Sequence, residues 1–263
     1  LPVFGEERRA ALIAVLDGFG YGADGQTWGG ELLLATTGGF RRIACLSPVA
    51  AFGGDRYASE PHRPALAWLA RIDALDHPAA AKLETDRERQ LALSKMAAMS
   101  PARSTSAGRL FDAVGALLGL AGTNRFEAET AMALEAAAQR GMIRADAPRF
   151  EVVDTGELLE LDPSNFLRWL IDLDSAAVAD AAATFHARLA TGFADVIRCA
   201  RDAASDVELA GLSGGVAVNE TFALQLREAV EDQGLGWREH EKVPPNDGGL
   251  ALGQAAVLAH TLR

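Results

Sequence analysis

Cysteine is scarce in this chain: Cys45 and Cys199 are the whole supply, far apart and in no C-x-x-C arrangement. That excludes a disulfide framework and gives no zinc knuckle, and it fits a reducing cytoplasm. Basic residues are also in deficit. Lys and Arg number 25 against 36 Asp and Glu, a formal charge of -11. Binding along a phosphate backbone depends mainly on Lys and Arg neutralising phosphate, so nucleic acid is not expected as a partner. Long apolar runs are missing too: charges break every one well before the roughly 20 residues a bilayer span requires, and Leu1 to Arg9 has no signal-peptide pattern. The expectation is a soluble, cytoplasmic protein with no membrane partner. His62, His77, His186, His240 and His260 form no i, i+4 metal pair, and there is no low-complexity stretch and no solenoid repeat.

What remains is a chain of 263 residues, 49% hydrophobic, long enough to bury a substantial core in one large domain or two lobes. Ala11 to Leu16 is an apolar run ending in Asp17-Gly18; Glu31 to Ala35 and Ile43 to Leu46 follow, separated by Gly38-Gly39. These predict strands joined by tight turns. Val49 to Pro64, with Gly53-Gly54-Asp55, Pro61 and Pro64, predicts a loop. Helical periodicity marks Ala65 to Ile72, Glu84 to Met99, Ser106 to Leu118 and Ala128 to Gln139, with Ser104, Thr105 or Ser106 available to cap the third. A further segment starts at Asp162-Pro163-Ser164. Ala176 to Ala203 predicts a long helix whose Phe185, Leu189, Phe193 and Ile197 make a core stripe.

The last third alternates strand, Gly-rich turn and helix twice: Val207 to Leu212, Ser213-Gly214-Gly215, Asn219 to Gln233, then Trp237 to Val243 and Gly248 to His260. Side-chain-free turns at a helix start let backbone N–H groups approach phosphate. Four polar, Gly-rich segments therefore stand out: Asp17 to Gly30, Ser104 to Asp112, Ser213 to Asn219 and Pro244 to Gly249. Each alone is ordinary turn punctuation. Asp17 directly after a strand is placed where ligands meet open α/β sheets, or it caps a turn. Asp247 before the final helix is an N-cap or a hard-oxygen metal ligand. His186, beside Phe185, reads as a packing histidine or a catalytic one.

Taken in order, Leu16-Asp17-Gly18-Phe19-Gly20-Tyr21-Gly22, Trp28-Gly29-Gly30-Glu31, Gly53-Gly54-Asp55, Ser106 to Val114 and Phe126-Glu127-Ala128-Glu129 resemble successive motifs of the HypF carbamoyltransferase family. Phe185-His186, Leu212 to Val216 with Asn219, and Pro245 to Gly249 with Leu252-Gly253-Gln254 continue the pattern over nearly the whole chain. The tRNA threonylcarbamoyl-transfer ATPases share the Ser-Gly-Gly and Asp-Gly-Gly turns but match Ser106 to Val114 only in part.

The resemblance implies an α/β, actin-like (ASKHA) two-lobed ATPase fold, related to the actin, sugar-kinase and Hsp70 ATPases, with part of the first lobe missing. Residues 1–105 would be the remainder of that lobe with inserted loops and helices, and 106–263 a nucleotide-binding and carbamoyl-transfer lobe with a helical insertion. It further implies transfer of a carbamoyl group from carbamoyl-adenylate, made by upstream domains from carbamoyl phosphate and ATP. The acceptor would be the C-terminal cysteine of the maturation partner HypE, and the product the cyanide ligand of nickel–iron hydrogenase.

By that resemblance Asp17, Gly18, Gly108, Asp112, Ser213, Gly214, Gly215 and Asn219 would surround ATP or AMP. Asp247 would hold a divalent metal (Fe, Zn or Mn), with His186 and Glu127 as candidates for activating the thiol. Such proteins carry an H-x-x-x-H stretch shortly before the first strand, and Leu1 to Arg9 has no histidine. The chain also lacks an initiating Met, which predicts a cleaved fragment or the ordered part of something longer. Two rival readings are a small-molecule O-carbamoyltransferase and a non-catalytic lobe that docks a partner.

Overall fold

The computed structural model describes residues 10–36, 38–120, 122–174, 177–203 and 207–261, with side chains to 259. The segment Leu1 to Arg9, the expected helix start at Ala176 and the His260 side chain lie outside that description. Among the described residues, no helix is long and apolar enough to cross a membrane.

One sheet organises the chain. Its strands are β1 (Ala11–Tyr21), β2 (Thr27–Thr36), β3 (Gly39–Leu46), β4 (Val49–Ala50), β5 (Arg103–Ser104), β6 (Glu151–Asp154), β7 (Leu159–Asp162), β8 (Leu209–Ser213) and β9 (Gly236–Arg238). The spatial order is β6-β7-β3-β2-β1-β8-β9, with β4 and β5 paired beside β2. The first three strands form an antiparallel meander, as short runs between glycines require. β8 joins β1 in parallel, and β9 joins β8 likewise, so the two β-turn-α units of the last third extend the sheet. The sheet therefore runs across the 105/106 division.

The strand at Asp17 is longer than its apolar run. β1 continues to Tyr21, and Asp17-Gly18 lies inside a bulge: from Leu16 to Gly20 β1 advances four residues while β2 goes only from Gly30 to Trp28. A bulge bends the strand and re-aims its backbone. Since β8 ends with Ser213 opposite Val15, the Ser213-Gly214-Gly215 turn emerges beside that bulge.

Alternation along β1 buries Leu12, Ala14 and Leu16. Over them packs α5 (Ala107–Leu117), flanked by α2 (His62–Arg71) and α6 (Glu129–Ala138), with α8 (Val178–Ala203) against α6 and α9 (Glu220–Glu231) against α8. The expected stripe on α8 is core: Phe185, Leu189, Phe193 and Ile197 are all buried. Phe111 meets Phe185 edge-on at 5.0 Å between ring centroids, the preferred arrangement for aromatic quadrupoles. Of the three cap candidates for α5, Ser106 takes the position, its Oγ accepting from Arg109 N at 3.1 Å.

Several boundaries differ from expectation. The Val49 to Pro64 stretch holds β4, the helical turn α1 (Arg56–Ser59) and the start of α2, where Pro64 sits in the first turn, a position whose N–H needs no intrahelical partner. The helix expected over Glu84 to Met99 starts three residues later, as α4 (Arg87–Met99) capped by Asp86, and a separate short helix, α3 (Pro78–Leu83), precedes it. The β6–β7 hairpin was not expected at all. Its strand β6 lies at the sheet edge, where most of its residues are exposed, so no continuous apolar run announces it. The strand expected over Trp237 to Val243 is β9, Gly236–Arg238. The helix α7 (Ser164–Ile171) follows Pro163, and the last helix, α10 (Leu250–Thr261), starts after a 3₁₀ turn at Asp247–Gly249.

Candidate functional site

All four Gly-rich segments meet at the β1 bulge. The Asp17 carboxylate accepts from Gly215 N at 3.0 Å through Oδ2 and from its own neighbour Gly18 N at 2.6 Å through Oδ1. From the other side Ser106 Oγ donates toward the carbonyls of Asp17, at 2.7 Å, and Gly18, at 2.9 Å. The Pro244 to Gly249 loop is tied on by Gly214 N donating to Pro245 O at 2.9 Å, with Ser213 Oγ 3.3 Å from the same oxygen.

Two glycines make this convergence possible. At Gly214 φ is +94°, and a Cβ there would stand 2.3 Å from Leu16 O. At Gly108 a Cβ would stand 2.6 Å from Gly18 Cα. Both are backbone-to-backbone approaches that no side chain can share. Gly108, expected against a nucleoside, is thus packed on the bulge.

The remaining candidates fall into separate groups. His186 is buried on α8. Its Nδ1 lies 2.8 Å from Ala182 O and its Nε2 3.0 Å from Asn219 Nδ2. A carbonyl only accepts, so Nδ1 carries the proton and Nε2 accepts from the amide: a neutral imidazole. Burial pushes its pKa down, which agrees. Asn219 in turn caps α9, its Oδ1 accepting from Phe222 N at 2.9 Å. The pair therefore fixes the helix start just beyond the Gly-rich turn, and His186 is a positioning residue where it stands. Asp112, only 1% exposed, points inward: it takes a hydrogen bond from Asn124 Nδ2 at 3.1 Å and faces Arg109 Nη1 at 2.9 Å. Burial raises its pKa against the pull of Arg109.

Glu127 is exposed in the turn before α6. Asp247 is exposed at the 3₁₀ turn, where Asn246 does the capping, through Oδ1 at 3.2 Å from Gly248 N. Among the described residues no three His, Cys, Asp or Glu side chains gather as a metal would need, so Asp247 alone does not make a ligand set.

Three side chains near the bulge went unnoticed as site residues. Glu31 is 2% exposed, held by Gly29 N at 2.5 Å, Gly30 N at 2.8 Å, Arg42 Nη2 at 2.9 Å and the Thr105 hydroxyl. Burial still raises its pKa. Arg109 reaches from Asp112 to the bulge, its Nη2 3.0 Å from where a Gly18 Cβ would be. Tyr57, 7% exposed, keeps its hydroxyl buried and without a hydrogen-bond partner among the described residues. Glu31 and Arg109 lie in Gly-rich motifs, which was their signal; Tyr57 carried none. Of the cysteines, Cys45 is buried and its thiol is pushed up to about 12 by burial, so it is no nucleophile at neutral pH.

Comparison with known proteins gives the family and the fold. Residues 13–254 match the family profile described as carbamoyltransferase, Kae1-like domain, second subdomain. The carbamoyltransferase HypF of Rhodobacter capsulatus is 39% identical over 264 residues, covering 95% of this chain and 32% of that protein. The one from Rhizobium leguminosarum bv. viciae is 33% identical, covering 92% and 31%. A HypF homolog of Cupriavidus necator, 33% identical, is covered over 66% of its length. The crystal structure of full-length HypF in its phosphate- and nucleotide-bound form superposes with a TM-score of 0.85 at 26% identity, over 97% of this chain and 34% of that one. T. kodakarensis HypF gives 0.82 at 32% identity, over 96% and 34%. This chain thus spans about a third of the length of the first two relatives, and its mixed α/β sheet is of the Kae1-like, ASKHA type.

Proposed function

The chain belongs to the HypF carbamoyltransferase family, and from that premise we propose that it is the part of such an enzyme that binds the nucleotide end of carbamoyl-adenylate and passes the carbamoyl group to a protein thiol. One observation carries the reading: the four Gly-rich segments converge on Asp17-Gly18, held by Gly215 N, Ser106 Oγ and the backbone approach of Gly108. Gly215 N donates to the Asp17 carboxylate in this structure, so a phosphate at this turn would take that carboxylate's place on the amide. One relative, of which this chain covers 34%, was crystallised with phosphate and nucleotide, which supports nucleotide binding in the family.

The step itself is acyl transfer. The acceptor thiol loses its proton to solvent, and the thiolate attacks the carbamoyl carbon. A C–S bond forms, the C–O bond to the phosphate breaks, and AMP leaves with the electron pair. The chain's contribution is placement: Gly215 N would exchange the Asp17 carboxylate for the phosphate, and neutral His186, through Asn219, keeps the Gly214–Asn219 segment in register. A divalent metal engaging Asp247 belongs to the proposal only with ligands from beyond the described residues, and no step is routed through it.

The acceptor is assigned as the C-terminal cysteine of a HypE-type maturation partner in the reducing cytoplasm, on the way to the cyanide ligand of nickel–iron hydrogenase. Calorimetric titration of AMP and ATP into the complete protein tests the nucleotide assignment. Gly214→Val, which puts a side chain against Leu16 O, is expected to lower affinity by about tenfold or more. Unchanged affinity in a folded variant contradicts it.

A further inference from the structure

Asp17-Gly18 has two flanks. One faces the Gly214-Gly215 turn, assigned above to the phosphate. The other opens into a cavity of about 800 Å³ bordered by Phe19, Phe52, Tyr57, Met96, Met99 and Arg109. Its mouth is apolar and open: Phe19 is 69% and Met99 79% exposed. Its floor is polar and unsatisfied. The Tyr57 hydroxyl, and Nε and Nη1 of Arg109, are buried without hydrogen-bond partners among the described residues; the 2.9 Å approach of Nη1 to Asp112 is an ion pair angled off hydrogen-bond geometry. Buried donors left unpaired cost roughly 1–3 kcal/mol each, so such groups normally have a partner.

We propose that this cavity receives the acceptor, as an extended apolar peptide segment that carries the thiol to Gly18. The inference rests on the carbamoyl-transfer reading above. Donor and acceptor must reach one carbonyl carbon from different sides, and the bulge offers two sides of opposite character. The glycine turn suits an anion; the cavity suits aliphatic and thioether contacts. Flexible Met96 and Met99 at the rim adapt to varied side chains. Tyr57 Oη and Arg109 Nε at the floor supply hydrogen bonds to a main-chain carbonyl or a terminal carboxylate. A sugar or other polyhydroxylated acceptor would lose its hydroxyl hydrogen bonds against Phe52 and the methionines without replacement.

The test uses the complete protein and a synthetic peptide, Ala-Leu-Ala-Leu-Cys, with one leucine replaced by photo-leucine. Photolysis followed by peptide mapping reads the binding place directly, and transfer of carbamoyl to the same peptide is measured in parallel. Cross-links concentrated at Tyr57, Met96 and Met99 are expected. Met99→Glu, at an exposed rim position that should not disturb folding, is expected to raise KM for the peptide about tenfold with kcat and AMP affinity within about twofold. Tyr57→Phe should weaken peptide binding while leaving AMP affinity unchanged.

Cross-links elsewhere or none at all, or a loss of AMP affinity in Met99→Glu with peptide binding intact, would overturn the inference; the latter assigns the cavity to the nucleoside. Cross-links in the cavity without any carbamoyl transfer would uphold the peptide site and count against the transfer reading instead.

Discussion

At the scale of the residue, the heaviest demands fall on groups that carry no chemistry of their own. Glu31 is a carboxylate at the centre of four donors. Removing it leaves two backbone N–H groups unpaired in the interior and takes one of the two carboxylates that Arg42 pairs with, so Glu31→Ala is expected to cost about 2–4 kcal/mol in denaturant unfolding, while Glu31→Gln, which keeps an acceptor, costs less. Equal effects for the two would contradict the network. Gly108→Ala forces its Cβ to 2.6 Å from Gly18 Cα and is expected to reduce nucleotide binding by displacing the bulge; wild-type affinity would show that the bulge has no part in the site.

His186 makes a pH prediction. Burial holds its folded pKa below the ordinary imidazole value of about 6.5, so between that value and the folded one the unfolded chain takes up a proton that the native chain refuses. Stability is therefore full above about pH 6.5 and falls as pH drops through that window. His62 and His240 are shifted the same way and add to the slope. His186→Gln should flatten the fall measured between pH 6.5 and 5.5; an unchanged slope would mean that the imidazole is not held neutral.

At the scale of the element, caps separate stability from site geometry. Asp86 Oδ1 caps α4 by accepting from Glu88 N at 2.9 Å and Arg89 N at 3.1 Å. Ser106 caps α5 and also ties down the bulge. Each Ala replacement is expected to cost about 1 kcal/mol of stability. Only Ser106→Ala should also weaken nucleotide binding, since only it holds Asp17 and Gly18. If both variants bind nucleotide alike, the Ser106 tether is irrelevant to the site.

The same elements show what the sequence could convey. The α8 stripe and the β1–β3 meander were legible because burial imposes a period of four or of two on apolar residues. The β6–β7 hairpin and β9 were not, because edge strands bury little and so leave little pattern. The Gly-rich segments were legible as turns, and as a set through family resemblance, yet their meeting point depends on a bulge that inserts Asp17-Gly18 into a strand. No local rule announces that bulge. Nor could Tyr57 be picked out, since an orphaned hydroxyl is a property of the packed molecule. The motifs place Asp112 beside a nucleotide and leave His186 as a packing or a catalytic histidine, whereas burial turns the two toward Arg109 and Asn219.

At the scale of the whole molecule, the core is concentrated where α5, α8 and α9 pack, around Phe111, Phe185 and Phe222, while on α10 Leu250, Val257 and Leu258 are all more than half exposed. Phe185→Ala is expected to cost about 3–5 kcal/mol of unfolding free energy, as for other large core truncations. Leu258→Ala in this chain alone should stay within about 0.5 kcal/mol of wild type.

The account's central claim is that one bulge joins a phosphate-binding turn to an acceptor cavity so that a carbamoyl group passes between them. Its most direct test is mass spectrometry of a C-terminal-cysteine acceptor after incubation with the complete protein, carbamoyl phosphate and ATP. Wild type is predicted to add one carbamoyl group to the thiol, with release of AMP. Gly214→Val should abolish the transfer while the fold, followed by circular dichroism, persists. An acceptor carbamoylated equally well by a folded Gly214→Val protein would contradict the claim, because the chemistry would then not pass through this turn.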